Sequence, residues 1–559
     1  MSGPLPARRD ATPPEVPWRP AWGRHGAVVS PQRLASEAGL GILRAGGNAV
    51  DAAIATNAAL AVVAAHSCGL GGDAFWLIWD GASLSGLNGS GRSASAATLE
   101  AARAAVGDRM PTLGPWTVTV PGAVRSWGDA HARFGRLPWA DLLAPAIDLA
   151  EGFPASPEWT SAVERGALRY GASGDWARVF RPLGRAWRPG EVVVPTGLAA
   201  TLRRVAGEGP DATYSGSLAP RAAAYLAAAG SPLTAEDLAA HRSDWTEPIR
   251  TTYRGVTATS HAPNSSGPVA LQMLNVLSRF APPAPGAFDG RGVADPRWVH
   301  IGLEAARLTL RERDRLLTDA AAMAPGALDE MLSDRRADEL ATQIDPDRAS
   351  PPPAMTSPRG GGTIFLATAD RWGGVVSLIE SNYGGFGSGL VDPETGIAYQ
   401  NRGAFFSLDP AHANVLAPRK RTMHTLTPGM LFVDGRPWVV HGAMGGEVQP
   451  QVFAQVVSAL VDGGVDVATA VGAPRWAADV VEHYGPPSLT RLESRFQAEV
   501  VDGLRARGHD VEVTGPFDSG MGHAHAIELV RAPHAPDDPE RMTFAAATDP
   551  RCEGAPAVW

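Results

Sequence analysis

The stretch SPRGGGTIFLATADRWGGVVSLIESNYGGFGSG, residues 357–389, joins a Pro-rich run to a two-strand pattern. TIFLATAD and GVVSLIES are short apolar segments parted by the turn residues RWGG, which reads as a strand hairpin. The joint before the first strand is Gly360, Gly361, Gly362 and then Thr363. Glycines are ordinary turn residues and Thr is a good strand former, so a plain turn accounts for the joint. A second account is a chain cut between Gly362 and Thr363. A threonine at a new N-terminus carries a hydroxyl nucleophile and an α-amine, of pKa ~8, able to act as its base. Glycine on the other side of the bond would let the backbone take the geometry of attack.

Upstream, QIDPDRASPPPAMTSPRGGG (residues 343–362) is Pro-rich and polar and is expected to be a linker. Residues 1–22 are Pro-rich and are expected to form a flexible arm. Between them, residues 30–67 read as two helices broken at Gly46-Gly47, the second capped by Asn48 and buried on every side. RLPWADLLAPAIDLAEGF and WVHIGLEAARLTLRERDRLLTDA have helical spacing. After residue 362 strands dominate, with GMLFVDGRPWVVHG as a second hairpin. The mixture predicts a layered α/β body and leaves parallel against antiparallel pairing open.

The chain of 559 residues has 44% hydrophobic residues and a formal charge of -9, with no long basic run. This argues against nucleic acid or an anionic membrane as the main partner. Two cysteines, Cys68 and Cys552, exclude a disulfide framework or zinc ribbon. No apolar run approaches the ~18 residues that span a bilayer, and no signal-peptide core is present at the N-terminus. The expected location is therefore cytoplasmic. Two further motifs are read as incidental: GLGGD lies in the wrong order for a dinucleotide loop, and His523 and His525 lack further ligands nearby in sequence.

Six segments in fixed order carry a resemblance: residues 46–81, 120–153, 263–277, 386–403, GAMGGEVQPQ at 442–451 and ATDPRCEGA at 547–555. With them the chain resembles the γ-glutamyltransferase family of N-terminal-nucleophile hydrolases, from about residue 26 to 559. The resemblance implies an αββα sandwich from one precursor that cleaves itself at Gly362–Thr363. The large subunit would be residues 23–362 and the small subunit 363–559, with no metal or organic cofactor. It also implies glutathione hydrolysis or transpeptidation through an acyl-enzyme on Thr363, resolved by water or an amine.

Site residues carried over by the resemblance are Gly445 and Gly446 for the oxyanion, Arg92 for the substrate carboxylate, and Asn382 near the nucleophile. Glu380 stands where a threonine is usual in bacterial members. The pattern breaks around the substrate. Ala404 and Phe405 replace the acidic pair that binds an α-ammonium, and Phe405 cannot neutralise a buried ammonium by charge pairing. His424 and Thr425 replace the paired serines, Arg402 is an added cation, and the second threonine after the cut is missing. These departures resemble the branch with glutaryl-cephalosporin acylases and oxamate amidohydrolase. A γ-glutamyl-type or related carboxylate-bearing amide is therefore expected as substrate, with a non-γ-glutamyl amidohydrolase of that branch, or an unprocessed, small-acid-binding relative, as the alternatives.

Overall fold

The computed structural model describes residues 19–284, 286–289, 291–351, 361–478, 490–532 and 541–559. Residues 1–18 of the expected arm and 352–360 of the expected linker, Gly360 included, lie outside them. Ala21–Gly23 is already a strand, paired antiparallel with Thr543–Ala547, so the ordered body begins before residue 23. The start of the linker is also tied down. Ile344 is buried, the Ala349 N–H donates to the Arg507 carbonyl (2.8 Å), and His300 Nε2 meets the Asp345 carbonyl (2.8 Å).

Two seven-stranded sheets form the centre. One runs Ala557–Val558, Gly26–Val29, Gly362–Asp370, Val375–Tyr383, Asp73–Trp79, Leu84–Asn88, Asp244–Thr246. The other runs Ala21–Gly23, Thr543–Ala547, His523–Val530, Arg436–Met444, Pro428–Val433, Val256–Ser260, Ile249–Tyr253. Every pairing in both is antiparallel, which settles what the apolar runs left open. Both sheets mix strands from before and after residue 362. Gly362–Asp370 lies between Gly26–Val29 and Val375–Tyr383.

Period-two alternation sorts each strand's side chains between two cores. Phe365, Ala367 and Ala369 face Phe75, Met430, Val440 and Ile527 between the sheets. Ile364 and Leu366 face the other way, into a core shared with the helices Arg33–Arg44 and Ala49–Val63. All fifteen residues of Ala49–Val63 are buried, and Asn48 caps it through a reciprocal capping box with Asp51. On the outer face of the second sheet, Gly267–Leu277, Pro296–Leu316 and Gln449–Val461 bury Leu431, Val439 and Ala443. The order of layers is helix, sheet, sheet, helix. No helix among the described residues is long and apolar enough to cross a membrane.

Two contacts set how the Thr363 strand is held. A Cβ at Gly442 would lie 2.4 Å from the Phe365 ring, so only glycine there lets the ring seat between the sheets. On the opposite face, Glu380 accepts hydrogen bonds from the Gly69 N–H (2.8 Å) and from Asn57 Nδ2. Asn57 Oδ1 accepts from Trp127 Nε1 (2.7 Å), so the carboxyl ties strand, helix and glycine loop together. Burial pushes the Glu380 carboxyl up to about 8, which keeps it protonated near neutrality.

Two outcomes follow from these contacts. Gly442→Ala is expected to destabilise the protein by about 1–3 kcal/mol through overpacking against Phe365, read by urea denaturation. Because the folded state holds the Glu380 proton more tightly than the unfolded chain, its contribution is full below pH 4.5 and is lost as pH rises towards 8. Glu380→Gln should flatten that part of the stability–pH profile. An unchanged slope would show that Glu380 is not the titrating group.

Candidate active site

Thr363 follows a bulge at Gly362 and is buried between the sheets, 2% exposed. The hairpin register sets Thr363 opposite Ser381. Their hydroxyls meet at 2.9 Å. Ser381 Oγ also lies 2.7 Å from the Gly362 carbonyl oxygen, to which it donates, and accepts from the Tyr383 N–H (2.7 Å) and from Arg402 Nη2 (3.0 Å). Two N–H donors fill the lone pairs of this hydroxyl, leaving one hydrogen for the Gly362 carbonyl or the Thr363 oxygen. Ser381 is thus the side chain that touches both sides of the Gly362–Thr363 bond. Sequence reading passed over it, although the hairpin around RWGG carries the signal: counting back from the turn sets residue 381 across from residue 363.

Arg402 is fully buried. Besides Ser381, its guanidinium reaches Thr425 Oγ1 (3.4 Å) and lies over the rings of Tyr383 (4.8 Å) and Phe405 (5.6 Å). Its Nε has no partner, and no carboxylate among the described residues lies within ion-pair distance. Burial pulls its pKa down to about 10, so it stays cationic at neutral pH. Phe405 packs at a tilt against Tyr383, ring centroids 4.5 Å apart. Its ring forms the apolar wall beneath the cation.

His424 joins the group through Asp73. Its Nε2–H donates to Asp73 Oδ2 (2.9 Å), while Asp73 Oδ1 accepts from the Gly91 N–H (2.9 Å). Burial, with Arg402 as the next cause, brings the imidazole down to about 4, so it is neutral. Arg92, next to Gly91, is held elsewhere: its Nη2 pairs with Asp244 Oδ2 (3.0 Å), which also takes Arg421. Asn382 points away from Thr363, as alternation requires, toward Gly69 and Gly72, and both its amide atoms are buried without partners.

Gly445 and Gly446 end the strand Arg436–Met444 with φ of 137° and 59°, backbone that favours glycine. A Cβ at Gly361 would sit 2.8 Å from the Gly446 nitrogen, which places this turn against the residue preceding Gly362–Thr363. Thr363, Ser381, Arg402, Thr425 and Phe405 are therefore linked by direct contacts; the glycine turn lies against Gly361, and Asp73, which holds His424, pairs with Ser381 across the sheet.

Among the described residues, one cluster has donor types suited to a metal: His300, Glu304 and His509, with ligand atoms within 4.8 Å. Those atoms already bond each other and their surroundings. His300 Nδ1 and His509 Nε2 lie 2.7 Å apart, and Arg307 sits on Glu304 at 2.8 Å, a cation where an ion would go. His523 and His525 are separately engaged: His523 Nε2 meets Ser519 Oγ (2.8 Å) and His525 Nδ1 accepts from the Asp549 N–H (3.3 Å).

Three relatives cover nearly the whole chain. The oxamate amidohydrolase proenzyme of Klebsiella pneumoniae is 39% identical over 552 residues, 95% of this chain and 98% of its own. The glutathione hydrolase-like YwrD proenzyme of Bacillus subtilis is 38% identical over 537 residues, 94% and 97%. The crystal structure of cephalosporin acylase from Bacillus halodurans superposes with a TM-score of 0.87 at 38% identity, covering 99% of both chains. The Gamma-glutamyltranspeptidase family model matches residues 35–559. With that match and these relatives, the chain belongs to the gamma-glutamyltranspeptidase family.

Proposed function

We propose that this chain is a self-cleaving amidohydrolase whose Thr363 attacks amides bearing a carboxylate on the acyl side, and not γ-glutamyl compounds by preference. The observation that supports this most is Arg402, a buried cation without a carboxylate partner, one hydroxyl away from Thr363. Such a charge is costly to bury alone, and an anionic substrate would relieve that cost. A γ-glutamyl group would bring an ammonium into a wall made by Arg402 and Phe405, where the charges repel. The relatives' names point to oxamate, glutathione and a cephalosporin. Oxamate is itself an amide with a carboxylate next to its carbonyl.

In the uncut chain the Thr363 nitrogen is an amide and cannot serve as a base. Ser381 takes part instead, donating to the Gly362 carbonyl and polarising it. Thr363 Oγ1 adds to that carbon, the C–N bond breaks, and the hydroxyl proton ends on the freed nitrogen. Water then hydrolyses the resulting ester, leaving a carboxylate on Gly362. In turnover the α-amine takes the Thr363 hydroxyl proton and returns it to the leaving nitrogen. Gly445 and Gly446 would offer N–H groups to the oxyanion, where loss of one such donor costs about 3 kcal/mol of barrier. Water, or an amine, resolves the acyl-enzyme. Asp73 keeps the neutral His424 ring fixed beside this group. Arg92, paired with Asp244, is left to a peripheral role.

The test compares oxamate, a glutaryl anilide and a γ-glutamyl anilide on purified protein. A carboxylate-only acyl group is expected to be preferred, Thr363→Ala to abolish turnover, and Arg402→Lys to lower kcat/KM by about tenfold or more, since Lys lacks the bidentate fork. A clear preference for the γ-glutamyl compound would contradict the reading.

A further inference from the structure

A cut at Gly362–Thr363 creates an anion beside a cation. The Gly362 carbonyl oxygen lies 2.7 Å from Ser381 Oγ, which Arg402 Nη2 reaches at 3.0 Å. Hydrolysis turns that carbonyl into a carboxylate, one hydroxyl away from a buried guanidinium with no acidic partner among the described residues. The same cut gives Thr363 an α-amine of pKa ~8, largely an ammonium at neutral pH. The new acid therefore forms between two cations.

Its seat does not depend on the bond that breaks. Gly362 is buried and pairs with Tyr383 across the hairpin, while Gly361 is exposed and leads out. A Cβ at Gly362 would lie 2.7 Å from the Gly385 nitrogen and 3.0 Å from the His66 carbonyl oxygen. One at Gly361 would lie 2.8 Å from the Gly446 nitrogen. The slot fits two glycines and no larger residue. Farther back the chain is docked on both sides of the cut. His300 Nε2 donates to the Asp345 carbonyl (2.8 Å), Arg507 Nε to the Pro346 carbonyl (3.0 Å), and the Ser350 N–H to Glu304 Oε2 (3.2 Å). None of these bonds involves Thr363, so residues 345–350 stay in place and tether the acid.

We infer that the Gly361–Gly362 end of the large fragment is an internal ligand of the mature site, an autoinhibitory carboxylate that substrate must displace from Arg402. The inference rests on the Thr363 reading above. A short tether holds its end at an effective concentration on the order of 1 mM, so a contact with a Kd of that order leaves the seat about half filled. The acyl carboxylate of a substrate and the carboxylate of the tail claim the same guanidinium. The tail therefore raises KM and leaves kcat unchanged.

The test lengthens the tether by inserting about thirty Gly and Ser residues after Pro351, which lowers the effective concentration roughly as the −3/2 power of length. Processing is read by denaturing mass spectrometry. Per processed chain, KM for the preferred carboxylate amide should fall by about twofold or more, with kcat unchanged. On wild type, N-acetyl-glycylglycine, whose blocked amine cannot accept an acyl group, should inhibit competitively. Its C-terminal amide lacks the charge, and N-acetyl-alanylalanine carries methyl groups that the slot excludes, so both should inhibit at least about tenfold more weakly. An unchanged KM in the lengthened, processed chain would overturn the inference, and so would equal inhibition by the three compounds. If the lengthened chain does not process, the three compounds on wild type decide alone. Wild type that stays uncut, or that is cut and turns over none of the amides, would instead defeat the Thr363 reading beneath it.

Discussion

The Phe365 ring sits where a side chain at position 442 would otherwise be, and much of the site follows from that contact. It sets how closely the Gly362–Asp370 strand approaches Arg436–Met444 across the inter-sheet core. The first strand begins at the Gly362–Thr363 bond and the second ends at Gly445–Gly446. The packing that joins the sheets therefore also fixes the distance between Thr363 and the glycine turn. It couples the apolar core to the chemistry through neighbouring residues on one strand, with no flexible loop between them.

Charge is arranged around the same strand by its alternation. On the inner face Thr363 and Ser381 meet the Arg402 cation, with a neutral His424 fixed by Asp73 nearby. On the outer face Glu380 is protonated and buried among Asn57 and Gly69. The two sheets interleave segments from both sides of residue 362, so a cut there would leave the body assembled through the pairing of Gly362–Asp370 with Gly26–Val29.

Local features were legible in the sequence, because they depend on neighbours along the chain. The Gly46-Gly47 break, the Asn48 cap, both hairpins and the all-buried second helix appear in the structure as their patterns suggested. Antiparallel pairing was not legible, since strands covered on both faces read as plain apolar runs. Long-range partners were harder still. Arg402 was visible as an added cation, but its lack of a carboxylate depends on where residues 381, 383, 405 and 425 converge. Phe405 read as a missing acid; the structure adds that its ring packs at a tilt against Tyr383 under the Arg402 guanidinium. Arg92 read as a carboxylate anchor within its motif; the structure adds its ion pair with Asp244, 152 residues away.

All of the chemistry proposed here depends on Thr363 becoming an amino terminus. Intact-mass analysis of the purified, denatured protein, with N-terminal sequencing of the smaller species, tests this most directly. The account predicts two polypeptides, the smaller beginning Thr-Ile-Phe, and a single uncut chain when Thr363 is replaced by Ala. Active protein whose chain is unbroken at Gly362–Thr363 would contradict it.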